Sequence, residues 1–232
     1  MKKITICFSL LFVLCFTYAQ EKLFTINKTD ANNGLLTIIG VKNNDGLLRE
    51  LQILQKDGRN NTIVDISYTL TENGSEYQVN RVNKGIETKY ATINYFDKMY
   101  EVTKKNGARA KYFFKNNSFQ SENNELSISR SSEKIILKSK SQEYILYHHY
   151  DKKEVVIDKI DFNPSYEGSY QITRTSPYNY QVKTNDDTGQ AVTNITLSEY
   201  NLNDRYYAIN YIFLSFGMTN LDLLPYLGVC SY

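Results

Sequence analysis

The chain has 232 residues, of which 41% are hydrophobic and 22% charged, with 27 Lys and Arg against 25 Asp and Glu. A formal charge of +2 is too small for a global field that would draw in nucleic acid, so any anion site has to be a local patch. Three Cys and two His leave little material for a disulfide framework or a metal cluster.

The first stretch reads as a secretory leader. Lys2 and Lys3 form a positive n-region, Ile4 to Phe16 form an apolar h-region, and Thr17-Tyr18-Ala19 ends in a small residue suited to cleavage before Gln20. The apolar run is too short for a membrane anchor. Cys15 is not placed as a lipidation site, because Leu14 stands where Gly, Ala or Ser is normally found. Residues 20–232 then form a single domain with enough chain for a sizeable core. Lys2 and Lys3 leave with the leader, so 25 basic residues face 25 acidic ones and the mature chain is neutral. Cys7 and Cys15 leave too. The remaining Cys230 is either a packed small residue or a thiol open to pairing between chains. The leader implies export to the periplasm or beyond. The abundance of Lys, Asn, Ile and Tyr, all with AT-rich codons, suggests a low-GC bacterium, in which Asn-X-Ser/Thr triplets carry no glycan meaning.

From Leu23 to Tyr200 the chain reads as short strands separated by turns. Asn33-Gly34, Asp45-Gly46, Asp57-Gly58, Asn73-Gly74, Asn106-Gly107 and Asp187-Thr188-Gly189 are hairpin signals, since Asn and Asp tolerate positive φ and Gly favours it. Between them the period is two. Val64, Ile66, Tyr68 and Leu70 face a core, alternating with Ile63, Asp65, Ser67 and Thr69. Ala108, Ala110, Tyr112 and Phe114 alternate with Arg109, Lys111, Phe113 and Lys115. The polar pair Asn80-Arg81 between Val79 and Val82 marks a bulge. Residues 118–132 are Ser-rich and read as loop-rich around a strand at 126–130. The fold class expected is mainly β: an antiparallel barrel or strongly curved sheet of about 12 strands.

One helix follows, over 204–224. Asp204 is a good N-cap and Pro225 stops the run. Tyr206, Tyr207, Ala208, Ile209, Tyr211, Ile212, Phe213, Leu214 and Phe216 leave no polar stripe, and Asn210 and Ser215 fall on different faces. Such a helix is buried all round or spans a membrane. Asn210, Thr219, Asn220 and Asp222 break the run too early for spanning, so the helix is expected inside the barrel.

Many antiparallel strands followed by the segment Asn203-Asp204-Arg205-Tyr206-Tyr207-Ala208-Ile209-Asn210-Tyr211-Ile212-Phe213-Leu214 resembles the tubby C-terminal-like superfamily, which includes the LURP-one-related proteins and the phospholipid scramblases. The turn Gln55-Lys56-Asp57-Gly58 is similar in texture. The resemblance covers about residues 21–224. It implies a closed barrel of twelve strands around a hydrophobic C-terminal helix. Members bind phosphoinositides or other lipids, or act as scaffolds, so a lipid headgroup or an envelope protein is the kind of partner implied. No activity is carried over with the fold.

Chemistry is sparse. His148 and His149 are adjacent on a strand and point to opposite faces, so they do not share a metal. No Ser sits in a nucleophile elbow and no Gly-rich loop opens a helix. No catalytic residue, metal or cofactor is assigned. Carboxylates such as Glu87, Asp97, Glu101, Asp158 and Asp161 are not selected as an acid–base pair by any spacing. Arg109 with Lys111, and Lys138 with Lys140, each place two cations on one strand face. If those strands are neighbours, the four side chains form an anion site for phosphate or a lipid headgroup. The excess of Tyr is read as strand packing.

The function these features support is a non-enzymatic secreted or periplasmic β protein that binds a ligand or partner. An outer-membrane-associated barrel and an envelope enzyme with a carboxylate pair are the alternatives. Mass spectrometry of the exported protein should find Gln20 as the first residue. An intact Met1, or a lipid on Cys15, would overturn the leader assignment.

Overall fold

A computed structural model describes residues 21–115, 118–123, 126–139, 143–151, 154–163, 169–186, 189–197 and 204–218. The leader, Lys140, Pro225, Cys230 and Tyr232 lie outside these residues. Sixteen strands precede one helix: β1 (Glu21–Thr29), β2 (Leu35–Lys42), β3 (Leu48–Lys56), β4 (Thr62–Asn73), β5 (Glu76–Asn83), β6 (Ile86–Phe96), β7 (Met99–Lys104), β8 (Arg109–Lys115), β9 (Ser118–Ser121), β10 (Leu126–Arg130), β11 (Lys134–Ser139), β12 (Glu143–Asp151), β13 (Glu154–Asn163), β14 (Ser169–Ser176), β15 (Asn179–Asp186), β16 (Gly189–Leu197) and α1 (Asp204–Leu214).

Each strand pairs antiparallel with the next from β1 to β13, and again from β14 to β16. β1 also pairs with β16, from Phe24↔Leu197 to Thr29↔Val192, so the first and last strands are neighbours. The sheet is therefore a nearly closed up-and-down barrel. Its one unladdered step among the described residues lies between β13 and β14. There Arg174 of β14 reaches the Asp151 carboxylate at the end of β12, 3.3 Å away.

The strand count corrects the expectation of about 12. One of the extra strands, β9, lies where the sequence is least legible. The four residues of β9 carry a single core anchor, Phe119, inside a Ser-rich stretch that period-two counting reads as loop. β5 is interrupted by the bulge at Val79/Asn80, at the place the polar pair marks. Several turns follow their residues. Asn33 (φ 61°), Gly46 (φ 90°), Gly74 (φ 65°) and Gly107 (φ 82°) supply the left-handed conformation. The Asp97-Lys98 turn does so without a glycine (φ 39° and 69°), which is why composition does not announce it.

Alternation sorts the side chains cleanly. Tyr77 and Val79, Ala91 and Ile93, Tyr100 and Val102, Ile135 and Leu137, Tyr180 and Val182 are buried inside. Gln78, Thr92, Asn94, Glu101, Lys138, Gln181 and Asn194 alternate with them and face out. The apolar face of the sheet is thus the interior, and α1 fills it. Every residue from Tyr206 to Leu214 is buried. Contacts reach the helix from several walls. Phe119 of β9 packs edge-on against Tyr211 (5.2 Å), Phe114 of β8 lies 6.3 Å from Tyr207, and Arg130 of β10 stacks its guanidinium 3.6 Å over the Tyr207 ring.

The helix is shorter than the expected 204–224. After Leu214 the bonds tighten to Phe216 N to Phe213 O and Gly217 N to Leu214 O. Gly217 then passes so close to Ile53 and Leu51 that an added Cβ would sit 2.6 and 2.9 Å from their methyl carbons. Residues 219–224 lie outside the described residues.

The one side-chain amide in the buried helical run, Asn210, is bonded at both ends. Its Oδ1 accepts from Leu48 N (2.9 Å) and its Nδ2 donates to Gly46 O (2.9 Å). The receiving turn is itself shaped by Asn43, whose Oδ1 accepts from Asp45 N and Leu47 N. Asn210→Ala strands a buried N–H and a buried C=O, each costing ~1–3 kcal/mol. The variant should lose about 2–5 kcal/mol in urea unfolding, with unchanged m-value. A loss below ~1 kcal/mol would mean that the clamp is not what seats the helix.

Candidate functional site

The antiparallel meander gives the barrel two ends. The Asn210 end carries the β2–β3, β6–β7 and β10–β11 turns. The opposite end carries the β7–β8 turn and receives the C-terminus of α1 near Phe216. Ala108 and Ala110 are small and exposed there, so the wall of β7 and β8 leaves a cleft down to the helix. The cleft holds about 180 Å³ and is lined by Val102, Lys104, Ala108, Arg109, Ala110, Tyr112, Ile212, Ser215 and Phe216. Its floor is apolar. An edge-to-face chain leads from Tyr68 through Tyr90 to Phe216 of this lining, at 5.3 and 5.4 Å. Burial pushes the Tyr112 hydroxyl up from its ordinary value, so it stays a neutral phenol.

A second depression, of about 260 Å³, adjoins the first through Arg109, Ala110 and Tyr112 and continues over Lys111, Ser121, Glu122, Asn123 and Leu126. Lys111 faces Glu122 at 3.4 Å. Arg109 and Lys104 make no side-chain hydrogen bond or ion pair among the described residues, and both are exposed. The helix brings no basic residue in its own last turn, so these two cations also stand where the negative end of its dipole is felt.

The expected four-residue anion site is not assembled. Arg109 and Lys111 share the rim just described, but β9 and β10 separate β8 from β11. Lys138 therefore lies three strands away, ~14 Å across the sheet, and is paired with Glu143 at 3.7 Å. Lys140 is outside the described residues. The reason is one of strand order: two basic strands of similar pattern are not neighbours unless the chain between them leaves the sheet, and here it adds two strands. What the basic spacing missed is Lys104, which joins Arg109 across the β7–β8 turn and not along one strand.

The histidines divide between faces as their adjacency requires. His149 is exposed, with Nδ1 2.9 Å from both Asp158 oxygens. His148 is buried inside. No group of three or more His, Cys, Asp or Glu suited to a metal occurs among the described residues. Three of the five carboxylates named above are engaged separately: Asp158 with His149, Asp161 with Lys159 (2.8 Å), Glu87 with Asn80 (2.8 Å). Glu50 and Asp65 line a shared outer groove of about 380 Å³. Asp65 stands opposite Leu54, four residues along β3 from Glu50, which is too far for a close acid–base pair.

No protein-family model matches the chain, and no curated protein sequence does. The fold is similar to a solved porin-like protein from Bacteroides uniformis at 10% identity, with a TM-score of 0.52, covering 77% of this chain and 98% of that one. At that identity the likeness speaks for the barrel and not for what it does.

Proposed function

We propose that this chain is a non-enzymatic binding barrel of the bacterial envelope, taking a small anionic amphiphile at the Phe216 end. The observation that carries the reading is the shared rim: Arg109 belongs both to the apolar cleft over Ile212 and Phe216 and to the polar depression beyond it. A ligand with an apolar part and a negative head fits that order. The apolar part lies against Phe216, and the head stays outward with Arg109 and Lys104. The outward placement follows from two opposing charges, the helix C-terminus beneath and Glu122 beside Lys111. The enclosed helix is the arrangement the tubby-like resemblance implies, and members of that superfamily bind lipids or act as scaffolds. Each charge-assisted contact is worth ~1.5–3 kcal/mol when partly desolvated and little when exposed.

Decyl phosphate below its micelle concentration should bind in calorimetry, and inorganic phosphate and a neutral alkyl maltoside should bind far less. Lys104→Ala/Arg109→Ala should weaken the alkyl phosphate about tenfold or more and flatten its salt dependence. Equal binding by parent and double variant would refute the site.

A second reading, an outer-membrane-associated barrel, is favoured by the similarity to the porin-like protein. Against a spanning form, such barrels need an apolar outer band, whereas the outer faces here carry Asn, Gln, Thr, Glu and Lys. Alkaline carbonate extraction of envelopes discriminates: the binding barrel should be released, and an inserted one should stay with the membrane.

A further inference from the structure

The amphiphile site leaves unused His148, a buried titratable side chain at the other end of the barrel. His148 is 4% exposed, and among the described residues neither Nδ1 nor Nε2 makes a well-formed hydrogen bond, the Ser131 backbone being the polar group that acts on the ring. A neutral imidazole carries one donor and one acceptor, while an imidazolium carries two donors and a charge. The residue sits where the β12–β13 register shifts, between Tyr147 and His148. β13 is in turn the last strand before the unladdered step to β14.

We propose that His148 is a proton-operated latch on this step of the barrel: the neutral imidazole lets β12 and β13 close over the core, and its protonation releases them. The surroundings give a proton no firm counter-charge. On β12 itself the Tyr150 ring stands edge-on at 5.8 Å, and His149 adds positive charge when protonated. From β13, Asp158 is the favourable charge, but its carboxylate is already held by His149. From the β10–β11 turn, the Ser131 backbone carbonyl is the favourable dipole, and Glu133 presents its carbonyl to the His148 amide. Arg130, at the end of β10, is another cation of this end and lies over Tyr207 of α1. Across the open step, Arg174 is tied to Asp151. Burial is the largest influence and pushes the His148 imidazole below its ordinary 6.5.

The sign follows. A group neutral in the fold and protonated in the open chain leaves stability intact above 6.5 and removes it as pH falls below. At pH 5.5 the opening equilibrium should rise roughly tenfold over its value at pH 8.

Hydrogen exchange by mass spectrometry on the intact chain at pH 8 and 5.5, corrected for intrinsic rates, reads this directly. The expected result is a roughly tenfold loss of protection in β12 and β13 beyond that of β3 to β6. It should vanish in His148→Phe and persist in His149→Asn. Should His148→Phe fail to fold, His148→Gln, uncharged at both pH values, serves the same purpose. The same pH response in either His148 variant, loss of protection spread evenly over the barrel, or a response abolished by His149→Asn would overturn the latch.

Discussion

The structure depends on one polar clasp in an apolar interior. Hydrophobic burial is non-directional: it drives α1 inside the sheet but does not say at what depth or rotation. Asn210 supplies that information. Its amide meets one donor and one acceptor, both backbone groups of a single turn, and that turn is held by Asn43. A rotation of one residue would bury the amide against hydrocarbon and leave Leu48 N–H and Gly46 C=O without partners. Register thus comes from the cost of the alternatives. The apolar residues on either side, Ile209 and Tyr211, then reach their walls as a consequence.

The same meander topology admits two opposite facings of its side chains. A membrane-spanning barrel turns apolar side chains outward and keeps a polar lumen. Here Tyr77, Val79, Ile93 and Val102 point inward, and Gln78, Thr92 and Glu101 face out. Similarity to a porin-like protein at 10% identity is therefore a similarity of backbone route. A shared route does not require a shared solvent, because a one-residue change in phase exchanges every face of a strand.

Much of the fold was legible from local pattern, and the rest failed for identifiable reasons. Turns with Asn-Gly or Asp-Gly announced themselves, as did the inward set Tyr68 and Leu70. β9 did not, because four residues with one apolar anchor fall below what a period can reveal. The helix was legible in kind but not in length: Gly217 is ordinary in sequence, and only its approach to Leu51 and Ile53 shows why the turn tightens there. At the rim, Arg109 and Lys111 were legible as a pair on one strand. Their company was not, since Lys104 joins across a turn and Lys138 is removed by two intervening strands. Adjacency of strands is a property of the whole meander, and no single stretch encodes it. The faces of His148 and His149 follow from alternation alone, but the lack of a well-formed hydrogen bond to His148 among the described residues is visible only in three dimensions.

The excess of tyrosine finds its explanation in barrel size. Interior width grows with strand number, and sixteen-stranded barrels in membranes leave an open channel. A single helix is narrow for such a space, so side chains have to bridge from wall to helix. Tyr68, Tyr77, Tyr100, Tyr144 and Tyr180 from the strands and Tyr206, Tyr207 and Tyr211 from α1 are buried in the one core that sheet and helix share. Leu would leave gaps at these positions, and packing tolerates few gaps. Trp would bring more bulk but an N–H that can only donate, whereas a phenol donates or accepts. Buried hydroxyls carry their own cost, seen in the upward push on Tyr211, where burial disfavours the charged form most strongly. Tyrosine thus supplies much of the bulk of the core around the helix, and at Ala108 and Ala110, where the wall residues are small, a cleft is left.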